Sequence, residues 1–259
     1  MRSSFSYTLY LFLFVGLLLG CQKVIQVDLN SQDPKFVIEA LFTLDDSVHT
    51  VSITKTLNIY DGIANPTIDN AIVTIMDDQG NQEQLHLVSP GNYETTNYQI
   101  DSSRTYTLKV QAENKEFIAT SKIPNFVALN KITTFKFGTG ENSIVALIPE
   151  RLDIANEKNY YNFDVFQNGE KIDGNFIQDD QFTDGKLMQQ PIFGRKIKGG
   201  DTVRIDMFMI QPEIYKYLFT LQQNNQGATP ANPSSNFSGD CYGYFSVRTK
   251  SSKQVVVPN

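Results

Sequence analysis

From about residue 36 onward, apolar and polar residues alternate along the chain in short runs. The alternation is clear at 36–42, 71–76 and 105–110. Because successive side chains of a strand point to opposite faces, this pattern predicts β-strands that bury one face. Turn residues separate the runs, as in Asp77-Asp78-Gln79-Gly80-Asn81, which predicts a hairpin. About seven short strands with turns every 8–12 residues or so predict a β-sandwich over 35–124.

A second β-rich domain is predicted over 125–259, because Ile123-Pro124-Asn125 ends the last strand of the first half and the alternation then restarts. Its predicted strands cover 131–137, 143–149, 160–167, 202–210, 241–248 and 254–257. The stretch 172–200 is polar with weak periodicity, and it predicts long loops with one short strand. Loops of that length inside a compact domain are uncommon and are often functional.

One helix is predicted near 212–226. Pro212 suits the first helical position, and the apolar residues that follow recur at the spacing of one helix face. These residues are Ile214, Tyr217, Leu218 and Leu221. We expect this face to cover a sheet rather than to bind a partner, since a lone helix in a β domain usually packs on the core.

The N-terminal residues have the pattern of an export signal. Arg2 precedes an apolar run over 9–19, which is shorter than the roughly 20 residues that cross a bilayer as a helix. The run ends in Leu18-Leu19-Gly20-Cys21, which resembles a bacterial lipobox. We therefore predict a signal peptide over 1–20, acylation of Cys21 with chains such as palmitate, and a tether over 21–34.

Charge and cysteine content narrow the possible functions. The chain has 22 basic and 28 acidic residues and no basic stripe, which argues against nucleic-acid binding. With Cys21 acylated, Cys241 is the remaining cysteine, so no internal disulfide is expected. We expect Cys241 to be a small buried side chain; the alternative is a reactive thiol or an intermolecular bridge.

The titratable residues form no familiar catalytic pattern. His49 and His86 lie in different predicted strands, without other ligands at metal-binding spacing, and we expect both to be exposed. Asp179, Asp180 and Asp184 lie in the predicted loops and could serve a glycosidase, but the chain has no tryptophan to form a sugar platform. We therefore expect no enzyme activity, no cofactor and no metal.

Aromatic residues are the remaining candidates for a binding surface. Tyr160, Tyr242 and Tyr244 could face a partner, because tyrosine combines a flat apolar ring with a polar tip. The alternative is that these tyrosines belong to a large aromatic core.

Several segments, in their order along the chain, resemble an outer-membrane lipoprotein family of Bacteroidota, domain of unknown function 4249. The segments include Val24-Ile25-Gln26-Val27-Asp28-Leu29, Pro34-Lys35-Phe36-Val37-Ile38-Glu39-Ala40, Pro90-Gly91-Asn92-Tyr93 and Gly243-Tyr244-Phe245-Ser246. The resemblance implies an N-terminal immunoglobulin- or transthyretin-like sandwich and a gene commonly found beside a TonB-dependent receptor. It assigns no catalytic residues.

These observations together predict a non-catalytic outer-membrane lipoprotein that binds, or assists, a TonB-dependent transporter. The alternative is a cell-surface adhesin or a structural module of the envelope. The residues after Cys21 lack the acidic run common in surface-exposed lipoproteins of this phylum. The lipid-anchored chain could therefore lie on the periplasmic face or on the cell surface.

Overall fold

Three β-sheets and one helix make up the part of the chain that the computed structural model describes, which is 33–57, 66–138, 144–194, 197–225 and 231–259. The predicted signal peptide, Cys21 and nearly all of the predicted tether lie outside these residues. Pro34–Asn259 forms one compact unit. The mostly β fold class that the alternation predicts is confirmed.

The largest sheet contains nine strands. They are β1 (Phe36–Thr43), β2 (Thr50–Lys55), β5 (His86–Ser89), β6 (Asn92–Glu94), β11 (Tyr160–Gln167), β12 (Glu170–Lys171), β13 (Phe176–Asp179), β16 (Thr202–Ile210) and β17 (Cys241–Val256). Their order is β12-β11-β16-β17-β1-β2-β6-β5, with β13 also paired to β11. The β1–β17 pair is parallel, and the other pairs are antiparallel.

Two four-stranded sheets pack on the large one. The first has the order β4-β3-β7-β8 and comprises β3 (Ile72–Asp77), β4 (Gln82–Gln84), β7 (Thr105–Ala112) and β8 (Lys115–Lys122). In the second, a central β10 (Ile144–Leu152) pairs with β9 (Lys131–Phe137), β14 (Leu187–Met188) and β15 (Ile192–Gly194).

Each small sheet closes its own hydrophobic core against a different part of the large sheet. Side chains of β1, β2 and the start of β17 form the first core with those of β3, β7 and β8; Phe42, Leu108 and Phe245 are fully buried there. Side chains of β11 and β16 form the second core with those of β9, β10 and β15; Leu147 and Phe163 are its fully buried centre. The molecule is thus built as two sandwiches that share one continuous sheet.

This arrangement bears on the domain boundary predicted after residue 124. The two cores meet near that position, since the first ends along the chain at Ile123 and the second begins at Val127. However, β17 supplies side chains to the first core and pairs along its other half with β16. The boundary stays a prediction.

The helix, α1 (Pro212–Asn225), covers the face of the large sheet that lies away from both cores. Ile214 and Tyr217 are buried against Phe208, Ile210 and Tyr244 of β16 and β17. Leu218 and Leu221 of the predicted apolar face pack on the same cluster. The prediction that this face covers a sheet is confirmed.

Two predicted elements differ from the structure. The segments 241–248 and 254–257 form one strand of 16 residues, because β16 pairs with the intervening polar residues through the register Met209↔Thr249 to Thr202↔Val256. The stretch 172–200 contains three short strands, β13, β14 and β15, rather than one. In both cases pairing with distant strands adds regular structure where local periodicity is weak.

His49 corrects another expectation, because its side chain is buried. Its ring stacks on Phe42 at a centroid distance of 4.6 Å, and Nε2 lies 3.0 Å from the main-chain oxygen of Tyr98. Burial lowers the pKa of His49, although the hydrogen bond to Tyr98 opposes this shift. His86, in contrast, is exposed on β5, as expected.

Candidate functional site

An acidic pocket forms where the loop between β10 and β11 meets the turn that follows β13. It has a volume of about 560 Å³, within the range of small-molecule pockets. Its lining residues are Asn156, Glu157, Lys158, Tyr160, Asp179, Asp180, Gln181 and Asp184. Four of these eight residues are acidic and one is basic, so the pocket favours positively charged ligands.

Three carboxylates converge at this pocket. Asp153, Asp180 and Asp184 each offer an oxygen atom, and these atoms all lie within 4.8 Å of one another. Asp153 and Asp180 are each only 5% exposed, whereas Asp184 is exposed. Asp180 and Asp184, two of the loop carboxylates considered from the sequence, therefore lie close together in the structure.

Hydrogen bonds from the opposite loop hold each carboxylate in place. The main-chain N–H of Asn159 donates to Oδ2 of Asp180 (2.8 Å), and that of Asn156 donates to Oδ1 of Asp184 (2.8 Å). In the reverse direction, the N–H of Gly185 donates to Oδ2 of Asp153 (3.0 Å). The two loops therefore fix one another, and the cluster has a defined geometry.

The carboxylates of the cluster form no ion pair with a lysine or arginine among the described residues. Burial raises the pKa of Asp180, and the charges of Asp153 and Asp184 raise it further, against the N–H of Asn159.

A buried arginine, Arg151, is connected to the cluster through Tyr161. The guanidinium of Arg151 sits 4.2 Å from the ring centroid of Tyr161 and donates to the carbonyl oxygen of Pro149 and to Oε1 of Gln178. Burial lowers the pKa of Arg151 to about 10, while Tyr161 and Asp153 act to raise it. The hydroxyl of Tyr161 donates to Oδ1 of Asp153 (3.0 Å) and so connects this arginine to the cluster.

Asp153 could not be singled out from the sequence, because no spacing relates it to Asp180. It follows the last residue of β10 directly, and its approach to Asp180 depends on the fold. Asp179, which the sequence analysis did name, is not one of the three. Its Oδ2 accepts a hydrogen bond from the hydroxyl of Tyr215 (2.8 Å) instead.

The three tyrosines predicted to face a partner differ in exposure. Tyr160 is half-buried at the pocket, with its ring 4.9 Å from that of Tyr215. Tyr242 is half-buried beside Lys35, whose Nζ lies 5.4 Å from the ring centroid. Tyr244 is only 8% exposed and packs on Tyr217 beneath α1, so the prediction is corrected for this residue. For Tyr160 and Tyr242 it stays a prediction.

A second surface, which the sequence analysis missed, lies on the sheet of β9, β10 and β15. Phe135, Phe137 and Phe193, which we call the phenylalanine patch, are 54%, 49% and 55% exposed. Phe135 and Phe193 flank Ala146 in one cross-strand row, and Phe137 contacts both, at centroid distances of 4.6 and 6.3 Å. Strand alternation put these residues on one face, but could not indicate that this face points away from the core.

Cys241 is a small buried side chain, as expected from the sequence. It is 7% exposed and belongs to the first core. Burial raises the pKa of its thiol to about 11, so the reactive thiolate is scarce at neutral pH. Among the described residues, no helix is long and apolar enough to cross a membrane.

Comparison with known proteins places the chain in a family. No curated protein matches the sequence. Among solved structures, a two-domain fibronectin type III segment of chicken tenascin is similar, with a TM-score of 0.22 and 13% identity over 68% of this chain and 91% of the tenascin chain. The family model for a domain of unknown function, DUF4249, matches residues 22–254. The chain belongs to this DUF4249 family.

Proposed function

We propose that this chain is a non-catalytic, lipid-anchored protein of the outer membrane of Bacteroidota that binds a TonB-dependent transporter through the phenylalanine patch. The observation that carries the proposal is the patch itself. Three phenylalanines in contact with one another, each about half exposed, are unusual on the surface of a monomer and are typical of protein interaction sites.

The size of the patch agrees with an accessory role. A phenylalanine contributes roughly 150–250 Å² of surface, so three half-exposed rings present about 300 Å². A stable interface buries about 800 Å² on each partner. The phenylalanine patch would therefore form the apolar centre of a larger interface, in which aromatic residues commonly carry most of the binding free energy.

The lipobox at Cys21 and the resemblance described above support the rest of the proposal. Two or three acyl chains on one cysteine hold a protein stably on a membrane, since each buried methylene contributes about 0.8 kcal/mol. An anchor of this kind keeps the domain close to membrane-embedded partners and raises their effective concentration. The alternative function, an adhesin or structural module of the envelope, would use the same anchor with a different partner.

Co-purification from the native membrane in mild detergent tests the proposal. A tagged wild-type chain should recover a TonB-dependent transporter, identified by mass spectrometry, and the triple variant Phe135→Ser/Phe137→Ser/Phe193→Ser should lose it. The control Leu87→Ser/Val88→Ser changes two residues on β5 that are 44% and 45% exposed, and it should retain the transporter.

Two results would count against the proposal. Equal recovery with the triple variant, shown by circular dichroism to be folded, would remove the phenylalanine patch from the interface. Recovery of an envelope-structural protein in place of a transporter, from cells that express the transporter, would favour the alternative.

A further inference from the structure

The carboxylates of Asp153, Asp180 and Asp184 have the spacing of ligands to a single ion. Calcium binds oxygen atoms at about 2.3–2.6 Å, so two ligands of one Ca²⁺ lie at most about 5 Å apart. Three carboxylate oxygens within 4.8 Å of one another meet this limit as they stand. The hydrogen bonds between the two loops fix these positions, so an ion would require little rearrangement.

Asn159 gives an independent indication that a cation binds near these carboxylates. The residue is 4% exposed, and it bridges two lining residues of the pocket, with its N–H on Asp180 and its Nδ2 3.2 Å from Oε1 of Glu157. Its side-chain oxygen, Oδ1, is buried and accepts no hydrogen bond. A buried oxygen without a hydrogen bond is unfavourable, so a donor or a cation is expected beside it.

Thr183 supplies a second unpaired oxygen, within the turn that carries two of the carboxylates. It lies in the turn between Asp180 and Asp184, and its Oγ1 is also buried without a partner. Both unpaired atoms are oxygens, and the neighbouring side chains are carboxylates. A cation bound to the three carboxylates would neutralise side chains that have no ion-pair partner among the described residues.

The ligand atoms indicate which cation. Carboxylate, amide and hydroxyl oxygens bind hard cations, whereas zinc and copper sites use histidine and cysteine. Magnesium requires near-octahedral geometry at about 2.0–2.1 Å and retains several water molecules. Calcium accepts six to eight oxygens in irregular geometry, which suits ligands supplied by two loops and the wall of a cleft.

We propose that Asp153, Asp180 and Asp184 bind one Ca²⁺ ion at the edge of the acidic pocket, next to Asn159. The ion links the loop after β10 to the turn after β13, and it cancels part of the negative charge of the pocket. This site is independent of the proposed transporter partner, and neither inference depends on the other.

Calorimetric titration of the full chain with CaCl₂, after removal of bound metal with EGTA, tests the site. We expect one Ca²⁺ per chain, with a dissociation constant near the 10⁻⁴–10⁻³ M typical of extracellular calcium modules, and at least roughly tenfold weaker binding of Mg²⁺. Terbium gives a second readout. The protein has no tryptophan, so tyrosine is the donor for energy transfer. Excitation of Tyr161, which is hydrogen-bonded to Asp153, should sensitise the luminescence of bound Tb³⁺, and added Ca²⁺ should displace the Tb³⁺ and quench this signal.

The variant Asp184→Asn removes the exposed ligand and should leave the fold intact. It should weaken Ca²⁺ binding at least roughly tenfold, because one of three anionic ligands is lost. The control Asp179→Asn changes a carboxylate of the same pocket that lies outside the cluster, and its affinity should stay within about twofold of the wild type. Absence of Ca²⁺ binding by the folded wild-type chain at about 5 mM CaCl₂, or equal losses in the two variants, would overturn the proposal.

Discussion

Gly243 lies directly against the main chain of Ile38, and a Cβ atom on Gly243 would be 1.9 Å from the Ile38 oxygen. The two residues are opposite one another in the parallel β1–β17 pair, which joins the N-terminal and C-terminal segments of the large sheet. The φ angle of Gly243 is +95°, a conformation that other residues adopt only with strain. The pairing thus requires glycine at this position for two separate reasons.

We therefore predict that Gly243→Ala lowers the free energy of unfolding by roughly 3 kcal/mol or more, because the backbones of β1 and β17 must separate. Urea denaturation measures the loss. The control is Gly80→Ala, which has a similar φ of +88° but no atom within 4 Å of the added Cβ. It should cost only about 1 kcal/mol, from backbone strain. Similar losses in the two variants would show that the contact with Ile38 is unimportant.

The side chain of Gln211, between β16 and α1, links β8 and β17. Its Nε2 donates to the carbonyl oxygens of Lys122 (2.8 Å) and Val247 (2.7 Å), and its Oε1 accepts from the hydroxyl of Ser246 (2.8 Å). Gln211→Leu removes these three hydrogen bonds, two of which are buried, so we predict a loss of about 3 kcal/mol in the free energy of unfolding.

The matched control for this substitution is Gln111→Leu, on the exposed face of β7, which should change stability by less than about 0.5 kcal/mol. Both variants are measured by urea denaturation at neutral pH. A loss below about 1 kcal/mol for Gln211→Leu would mean that water replaces the three hydrogen bonds.

Asp77 makes the stability of the first sandwich depend on pH. Burial acts to raise the pKa of this carboxyl, but hydrogen bonds from Asn81, Arg104 and Gln79 outweigh it and lower the pKa from 3.8 to about 2. The pKa is lower in the folded state, so the stabilisation is present above pH 4 and is lost as the pH falls toward about 2. The shift corresponds to about 2 kcal/mol.

We predict that Asp77→Asn lowers the free energy of unfolding at pH 7 and flattens its fall between about pH 4 and pH 2. Denaturation curves at several pH values in this range measure both effects. The control is Asp78→Asn, at the exposed neighbouring position of the same hairpin, and it should keep the steeper wild-type fall. Parallel curves for Asp77→Asn and the wild type would contradict the assignment.

The two cysteines provide a matched test of the lipid anchor. Cells grown with an alkyne-tagged fatty acid should label the wild-type chain and Cys241→Ser, but not Cys21→Ser, because the buried thiol of Cys241 is not available for acylation. Labelling is detected on a gel after immunoprecipitation. Persistent labelling of Cys21→Ser would place the acyl chains elsewhere.

Local patterns predicted most of the strands, because the alternation of buried and exposed residues is a property of neighbouring residues. The bounds of β9, β11 and β16 agree with the prediction to the residue. The full length of β17 was not predictable, since its middle is polar and is held in the sheet by pairing with β16. Pairing with a distant strand cannot be predicted from a stretch of about ten residues.

For the candidate sites, too, the sequence indicated single residues but not the contacts between distant residues. The sequence indicated Asp180 and Asp184 as candidate site residues. Their approach to Asp153, however, depends on two loops that hydrogen bonds join across the fold. The exposure of Phe135 could not be predicted either. Alternation with a period of two separates the two faces of a strand, but it does not indicate which face is exposed to solvent.

The central place of β17 in the large sheet sets the order in which the molecule can fold. During synthesis, β1 appears about 200 residues before β17, which pairs with the edge of β1 that β2 leaves open. Until then, the first core lacks Phe245 and Val247, and the edge of β1 remains open to other chains. The N-terminal sandwich therefore cannot complete its hydrophobic core until β17 has been synthesised. A product cut short before residue 241 would be aggregation-prone and a ready substrate for proteases.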